Sequence, residues 1–294
     1  MGISQIARAK VNLSLRVRGR RSDGYHEIES LVTFAEVGDR LGLRPDQPVG
    51  VVVQGPFAQG IDSVNILDIA IGLLRQSEPD LRLGAIELEK NLPVAAGLGG
   101  GSSDAGALLR LVRMLNGERV GDALLHTIAR RLGADVPVCF TDQPALIGGI
   151  GEELHPLPMA TAPLPPLPAV LINPRQPLAT ARVFAALGAG PAAAPPASVL
   201  PALRSLANLF DYVGAVGNDL ERPAIALAPV IADIKAALLA QPGCRLAAMS
   251  GSGPTCFAIF TEQARASAAA AALCRARPDW WIVATPLQGL TGSA

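Results

Sequence analysis

An excess of charge of one sign is lacking. The 294 residues carry 25 Lys and Arg against 25 Asp and Glu, a formal net charge of zero. A protein that neutralises a run of nucleic-acid phosphates needs a basic surplus or a basic stripe. Neither is present, which excludes nucleic acid as a partner but not a small anion, since a local site needs only a few donors. Cysteine is also sparse: Cys139, Cys244, Cys256 and Cys274 show no Cys-x-x-Cys and no metal-ligand spacing, so no metal site built on thiolates is expected and the thiols should be free in a reducing cytoplasm. No apolar run reaches the roughly 18 residues needed to cross a bilayer. The opening "MGISQIARAKVNLSL" lacks an apolar core bounded by a small-residue cleavage site. The expectation is therefore a cytoplasmic protein with no membrane partner. Aromatics are only 4% of the chain, with two Tyr and three His in all, so an adjacent Tyr25-His26 pair stands out.

Glycine and proline, by contrast, are abundant, at 30 and 25 residues. Proline cannot donate to a sheet or continue a helix. The run "HPLPMATAPLPPLP" (His155–Pro168) therefore reads as a connector and divides the chain into residues 1–160 and 161–294. In the first half, Ala7–Gly19 alternates apolar and polar residues as a strand does, and further strand patterns lie at Ile28–Phe34, Val49–Gly55 and Ala85–Pro93. Helical spacing marks Asn65–Gln76, Ala105–Leu115 and Gly121–Gly133, the last with Asp122 as its cap. Ala145–Pro158 suggests a strand and a glycine-rich turn. In the second half, a strand at Ala169–Pro174 precedes a helix at Thr180–Leu187, capped by Thr180, and an Ala/Pro-rich loop at 188–198. Helices are expected at Val199–Leu209 and Ile225–Leu239. Strand–turn–strand then covers Arg245–Phe260, a helix Glu262–Arg275 and a last strand Trp280–Thr285. The fold class is α+β: a mixed sheet with helices in the first half, and in the second the strand order of a split βαβ, ferredoxin-like unit.

The stretch "PVAAGLGGGSSDAG" (Pro93–Gly106) ends a strand, turns on glycines and opens a helix. The first N–H groups of a helix lack intrahelical acceptors and the macrodipole there favours negative charge. Gly97, Gly99, Gly100 and Gly101 would let a bulky anion approach the main chain, and the hydroxyls of Ser102 and Ser103 add donors. Together these predict a phosphate site. It is not a P-loop, because no lysine follows Gly101, and not a dinucleotide fingerprint, because Ser102 stands where the third glycine belongs. A second cluster, "MSGSGPT" (Met249–Thr255), sits between two strands. Two such loops suggest a ligand held between the halves.

Three segments, "RAKVNLSLRVRGRRSDGYHEIESL", "PVAAGLGGGSSDAGAL" and "MSGSGPTCFAIF", resemble in order and spacing the three motifs of the GHMP kinase superfamily. The resemblance implies a two-domain kinase that uses ATP and Mg²⁺ on a small-molecule substrate, as a monomer or weak homodimer. The Asp-Gly-Tyr-His ending of the first segment narrows it to a branch acting on a cytidine-diphosphate-linked methylerythritol. By position, it makes Lys10 and Asp135 catalytic, the aspartate taking the proton of the attacking hydroxyl. It assigns Pro93, Val94, Ala95, Ala96, Leu98 and the four glycines and two serines of the loop to ATP, with Asn65 near the adenine. Tyr25 and Phe184 become stacking faces for cytosine and His26 the reader of its polar edge. Asn12, Thr180, Gly251, Ser252 and Gly253 fall on substrate-contacting positions. His126 and His155 read as structural or solvated.

Overall fold

The computed structural model describes residues 2–60, 65–158, 162–192 and 200–292. The chain divides by packing into two units. One comprises Met1–Lys10, Val37–Val94 and Gly99–Gln143, the other Val11–Glu36, Ala95–Leu98 and Pro144–Ala294.

In the first unit, β1 (Ile3–Asn12) contributes all but its last two residues, and lies beside β3 (His26–Arg44), whose second half belongs here. β5 (Ala85–Glu89) pairs antiparallel with Arg40–Arg44, and β4 (Gly50–Gln54) pairs in parallel with β5. Four helices pack with this sheet: α1 (Ile66–Ser77), α2 (Gly100–Asn116), α3 (Asp122–Leu132) and α4 (Val136–Thr141). Their apolar faces explain it. In α1, Leu67, Ala70, Ile71 and Leu74 recur at helical spacing and are all buried. They meet Leu41, Leu43, Ile86 and Leu88 from the strands and Leu108, Leu111 and Val112 from α2. Burying each large aliphatic side chain stabilises the fold by about 1.5–3 kcal/mol.

In the second unit, β2 (Arg16–Arg20) and β6 (Ala145–Gly148) both pair antiparallel with the first half of β3, and β7 (Glu153–His155) pairs with β6. A four-stranded antiparallel sheet follows in the order β11 (Trp281–Leu287), β8 (Leu167–Asn173), β10 (Cys256–Phe260), β9 (Cys244–Met249). That order, fourth-first-third-second, is the expected ferredoxin-like arrangement. The remaining elements are α5 (Thr180–Leu187), α6 (Leu206–Val216), α7 (Glu221–Leu227), α8 (Val230–Leu239) and α9 (Gln263–Ala276). Val183, Ile231, Ile234, Leu238, Ala266 and Leu273 close the core against Val170, Ile172 and Ala258.

Several boundaries differ from the sequence expectations, each for a physical reason. The strand expected at Ala7–Gly19 is broken at Leu13–Leu15, and β3 runs on to Arg44, well past Phe34. Its Gly38 has no room for a Cβ, because the Ala7 carbonyl of β1 lies against it. The second helix starts at Gly100 rather than Ala105, since glycine's poor helix propensity is felt least in a first turn that packing holds. Asp122 and Thr180 are first helical residues, and the caps are Gly121 and Ala179. The helix expected at 225–239 is two helices, interrupted at Pro229. The helix expected from Val199, which lies outside the described residues, begins at Leu206, where the Ser205 hydroxyl caps it by accepting the Asn208 amide at 3.2 Å. Within the Ala/Pro-rich loop, Gly190–Ala192 hydrogen-bonds to Arg20 of β2, while 193–198 falls outside the described residues. All four cysteines are free, with Cys139 and Cys256 buried and Cys274 exposed. Among the described residues no helix is long and apolar enough to cross a membrane.

The packing of α2 on α4 gives a test. A Cβ on Gly106 would sit 2.6 Å from the Cys139 carbonyl carbon and oxygen. Gly106→Ala gains about 1 kcal/mol of helix propensity, but the overpacking costs about 1–3 kcal/mol or more where backbone is struck. The expected outcome in urea unfolding is net destabilisation, and a stabilised variant would contradict the packing.

Candidate active site

In the first unit the glycine loop delivers the chain into α2. Gly99 takes the left-handed conformation (φ +61°) and is the helix cap, with no side chain serving the helix start. The Ser103 amide donates to the Gly99 carbonyl at 2.8 Å and so is the first committed N–H, leaving those of Gly100, Gly101 and Ser102 without an intrahelical acceptor. Ser103 is spent inward: it is buried and its hydroxyl donates to Cys139 Sγ at 3.4 Å. Pro93 and Leu98 are buried, and Val94 is exposed beside Gly60.

Lys10 reaches this helix start from β1. Its side chain is 5% exposed and its Nζ donates to Asp135 Oδ1 at 2.7 Å. A Cβ on Gly99 would lie 3.2 Å from Lys10 Cε, so one reason for the bare backbone is passage of the lysine. Asp135 occupies the cap position of α4 without capping it, and its side chain remains 36% exposed. The short helix α4 is fixed at its other end too. Arg8, two residues before Lys10 and therefore on the same face of β1, pairs with Asp142. Arg110 of α2 donates to the carbonyls of Cys139 and Phe140. Burial pushes the Asp142 carboxyl above the usual carboxylate range, against the pull of Arg110 and Arg8. Asn65 caps α1, its Oδ1 accepting the Leu67 amide at 3.0 Å, while among the described residues its buried Nδ2 has no hydrogen-bond partner. The next residue, Ile66, comes within 3.9 Å of where a Gly101 Cβ would be. A buried ammonium, a set of uncommitted amides, a reachable carboxylate and an orphaned amide donor can together hold a nucleotide and accept a proton.

The second unit brings the other predicted residues together. The Ser250 hydroxyl accepts the Asn12 amide at 3.1 Å and donates to the Gly97 carbonyl at 2.9 Å. The Thr255 amide donates to the Ala96 carbonyl at 3.3 Å. A Cβ on Gly97 would strike the Ser250 carbonyl and, at 2.9 Å, the Gly253 amide. One on Gly251 would lie 3.1 Å from the Gly97 carbonyl and 3.3 Å from Asn12 Oδ1. The bare backbone at Gly97 and Gly251 thus lets two loops press together. Asn12 Nδ2 donates to Ser30 Oγ at 2.7 Å.

On α5, Thr180 and Phe184 are four residues apart and share a face. The hydroxyls of Thr180 and Ser252 are 2.9 Å apart, and the rings of Phe184 and His26 stack at 4.6 Å. Tyr25 does not enter this stack; it is 60% exposed, with its amide donating to Asp23 Oδ1. Burial and the neighbouring Arg20 lower the His26 pKa, so its ring is neutral at pH 7, with one nitrogen a donor and the other an acceptor. His126 packs edge-on against Phe140, and His155 is half-exposed beside Glu153. Sequence reasoning missed Ser250 and Asn218, whose Nδ2 donates to the carbonyls of Met249 and Gly251 at 2.9 and 2.8 Å. Ser250 stood inside the quoted motif, but only its neighbours were assigned.

The chain matches the family description "GHMP kinases N terminal domain" over residues 65–149 and "GHMP kinases C terminal" over 199–279. It is 48% identical over 297 residues to 4-diphosphocytidyl-2-C-methyl-D-erythritol kinase of Rhodopseudomonas palustris, covering 98% of each chain. It is 50% identical over 288 residues to the protein of that name in Methylobacterium radiotolerans, covering 96% of this chain and 98% of the relative. A crystal structure of 4-(cytidine 5'-diphospho)-2C-methyl-D-erythritol kinase superposes with a TM-score of 0.76 at 33% identity, over 99% of this chain and all of the other.

The Ser250 node yields a prediction within the second unit. Ser250→Ala leaves the buried Asn12 N–H and Gly97 C=O each short of a partner, a cost of about 1–3 kcal/mol. Urea unfolding should show a loss of that size, whereas an unchanged midpoint would mean the hydroxyl holds nothing.

Proposed function

The chain belongs to the 4-diphosphocytidyl-2-C-methyl-D-erythritol kinase family of GHMP kinases, and from that premise we propose that it moves the γ-phosphate of ATP to the 2-hydroxyl of 4-diphosphocytidyl-2-C-methyl-D-erythritol, a step in making isoprenoid precursors. The observation that carries the mechanism is the Lys10–Asp135 pair against the bare start of α2.

The amides of Gly100, Gly101 and Ser102 hold phosphate oxygens, and the absence of side chains at the two glycines lets those oxygens come close. Asn65 offers its unpartnered Nδ2 to the adenine. The Asp135 carboxylate accepts the proton of the substrate's 2-hydroxyl as that oxygen attacks the γ-phosphorus and the bond to the ADP oxygen breaks. The Lys10 ammonium orients Asp135 and steadies the charge of the transferring group. Such catalysis consists mainly of positioning and charge neutralisation, and both residues sit on rigid elements. Magnesium bound with ATP would supply further neutralisation of charge on the transferring group. Among the described residues no three His, Cys, Asp or Glu side chains converge into a cage of the chain's own.

The cytidyl moiety is assigned to the second unit. His26, neutral and backed by Phe184, presents a donor and an acceptor to the polar edge of cytosine. Tyr25 supplies an exposed ring that settles on the base when it binds. Asn12, Thr180 and the Gly251–Gly253 turn contact the diphosphate and polyol. As sequence domains we propose residues 1–160, which carry the ATP loop, and 161–294, in a cytoplasmic monomer or weak homodimer; the packing units cross that boundary, with Val11–Glu36 in the second.

A coupled assay of ADP release tests the assignment. Turnover is expected with the cytidyl substrate and not with mevalonate or homoserine; the reverse preference would sink it. Asp135→Asn should lower kcat by about 10²–10⁴-fold with folding intact, and near-normal turnover would remove it as the base. Tyr25→Ala should raise KM for the cytidyl substrate about tenfold, the lower part of the range for base stacking, with KM for ATP unchanged. Equal effects on both would end the stacking role.

A further inference from the structure

The mechanism leaves one buried ionic cluster unused. Lys90, just after β5, is 4% exposed, and its ammonium donates to Asp104 Oδ2 at 2.8 Å and to Asp39 Oδ2. Asp39, on β3, also accepts the amides of Asn91 at 2.6 Å and Leu92 at 2.8 Å through Oδ1, which fixes the chain just ahead of the glycine loop. Asp104 lies in the second turn of α2, and its other oxygen, Oδ1, is buried without a hydrogen-bond partner among the described residues. The cluster lies directly behind the helix start: a Cβ on Gly100 would be 3.3 Å from Lys90 Nζ and 3.8 Å from Asp39 Oδ2.

One cation and two carboxylates in a dry site carry a net negative charge if all are ionised, and desolvation makes that costly. Burial first, with the Asp39 carboxylate acting in the same direction, pushes the Asp104 carboxyl up to about 8 against the pull of Lys90. Burial would lower Lys90, but Asp104 and Asp39 outweigh it and Lys90 is raised. The charged groups acting on Asp104 are thus Lys90 and Asp39. The helices α1, α3 and α4, packed on α2, bring Leu67, Leu125 and Val136 to the core, together with the Cys139 thiol, pushed up to about 12 chiefly by burial and so uncharged.

We propose that Asp104 is a positioning residue for the nucleotide: as an uncharged acid it keeps the buried cluster neutral behind the phosphate-binding amides, and its ionisation leaves a net negative charge there that weakens the grip on ATP. The proposal rests on the assignment of those amides to the triphosphate. The sign follows from linkage. An anion binds better to the protonated form, so affinity is highest below about pH 8 and falls as pH rises through that value.

The test is calorimetric titration of the full chain with ATP between pH 7.5 and 9.5, where phosphate groups are nearly fully ionised. Wild type should lose about three- to tenfold in affinity across that range, the size expected for one charge acting through an effective dielectric near 20 with salt present. Asp104→Asn should hold its affinity within twofold, and KM for the cytidyl substrate should not follow the ATP trend in either protein. A flat wild-type profile overturns the proposal while leaving the assignment of the loop intact, and needs no variant to fold. An equal decline in Asp104→Asn overturns it by giving the effect to another group. Failure of wild type to bind ATP at any pH overturns the loop assignment and the proposal with it.

Discussion

A single hydroxyl carries more of this architecture than its size suggests. Ser250 Oγ takes a hydrogen bond from the main chain at Asn12 and gives one to the main chain at Gly97. It thereby closes three segments that lie far apart in the chain. Two left-handed glycines, Gly97 at φ +73° and Gly251 at φ +56°, allow the backbones to meet at distances no Cβ would permit. Asn218 holds the same turn from below through the carbonyls of Met249 and Gly251. These segments carry Asn12 and Ser252, whose backbone positions are fixed within the second unit.

The Lys10–Asp135 pair is built on a comparably rigid footing. Asp135 stands at the start of a six-residue helix, too short to hold itself in place. Its orientation comes from tethers: Lys10 and Arg8, alternate residues of one strand, grip its two ends, and Arg110 binds its final carbonyls. Since Arg110 stands on α2 itself, the helix with the uncommitted amides also steadies the helix that begins at Asp135. A group that must accept a proton from a particular oxygen gains from this arrangement, because small displacements of a reacting group cost large factors in rate.

The glycines of the loop do different work. Gly97 answers to the pressure of a neighbouring loop, Gly99 to the passage of Lys10, and Gly100 to a buried ionic cluster beneath it. Gly101 sits against Ile66, beside the capping residue of α1. Ser103 has both its amide and its hydroxyl engaged within the protein. A motif that reads as one phosphate device is a junction in which packing, charge and ligand approach each claim particular residues.

The sequence by itself determined a good deal. Hydrophobic periodicity located most helices and strands within a few residues, and the order of the last four strands identified the ferredoxin-like sheet. The three motifs identified the kinase family, and the resemblance pointed by position to Lys10 and Asp135. These signals are local: alternation, helical spacing, turn residues and short motifs are written in adjacent positions. Only the tertiary structure decided that β3 continues through Gly38, that α2 begins on glycine, and that His26 stacks on Phe184. It alone made Ser250 a node and gathered Lys90, Asp39 and Asp104 into one buried cluster. Each of these depends on groups far apart in the chain, which meet only when burial and backbone approach bring them together, and no pattern of neighbours encodes that meeting.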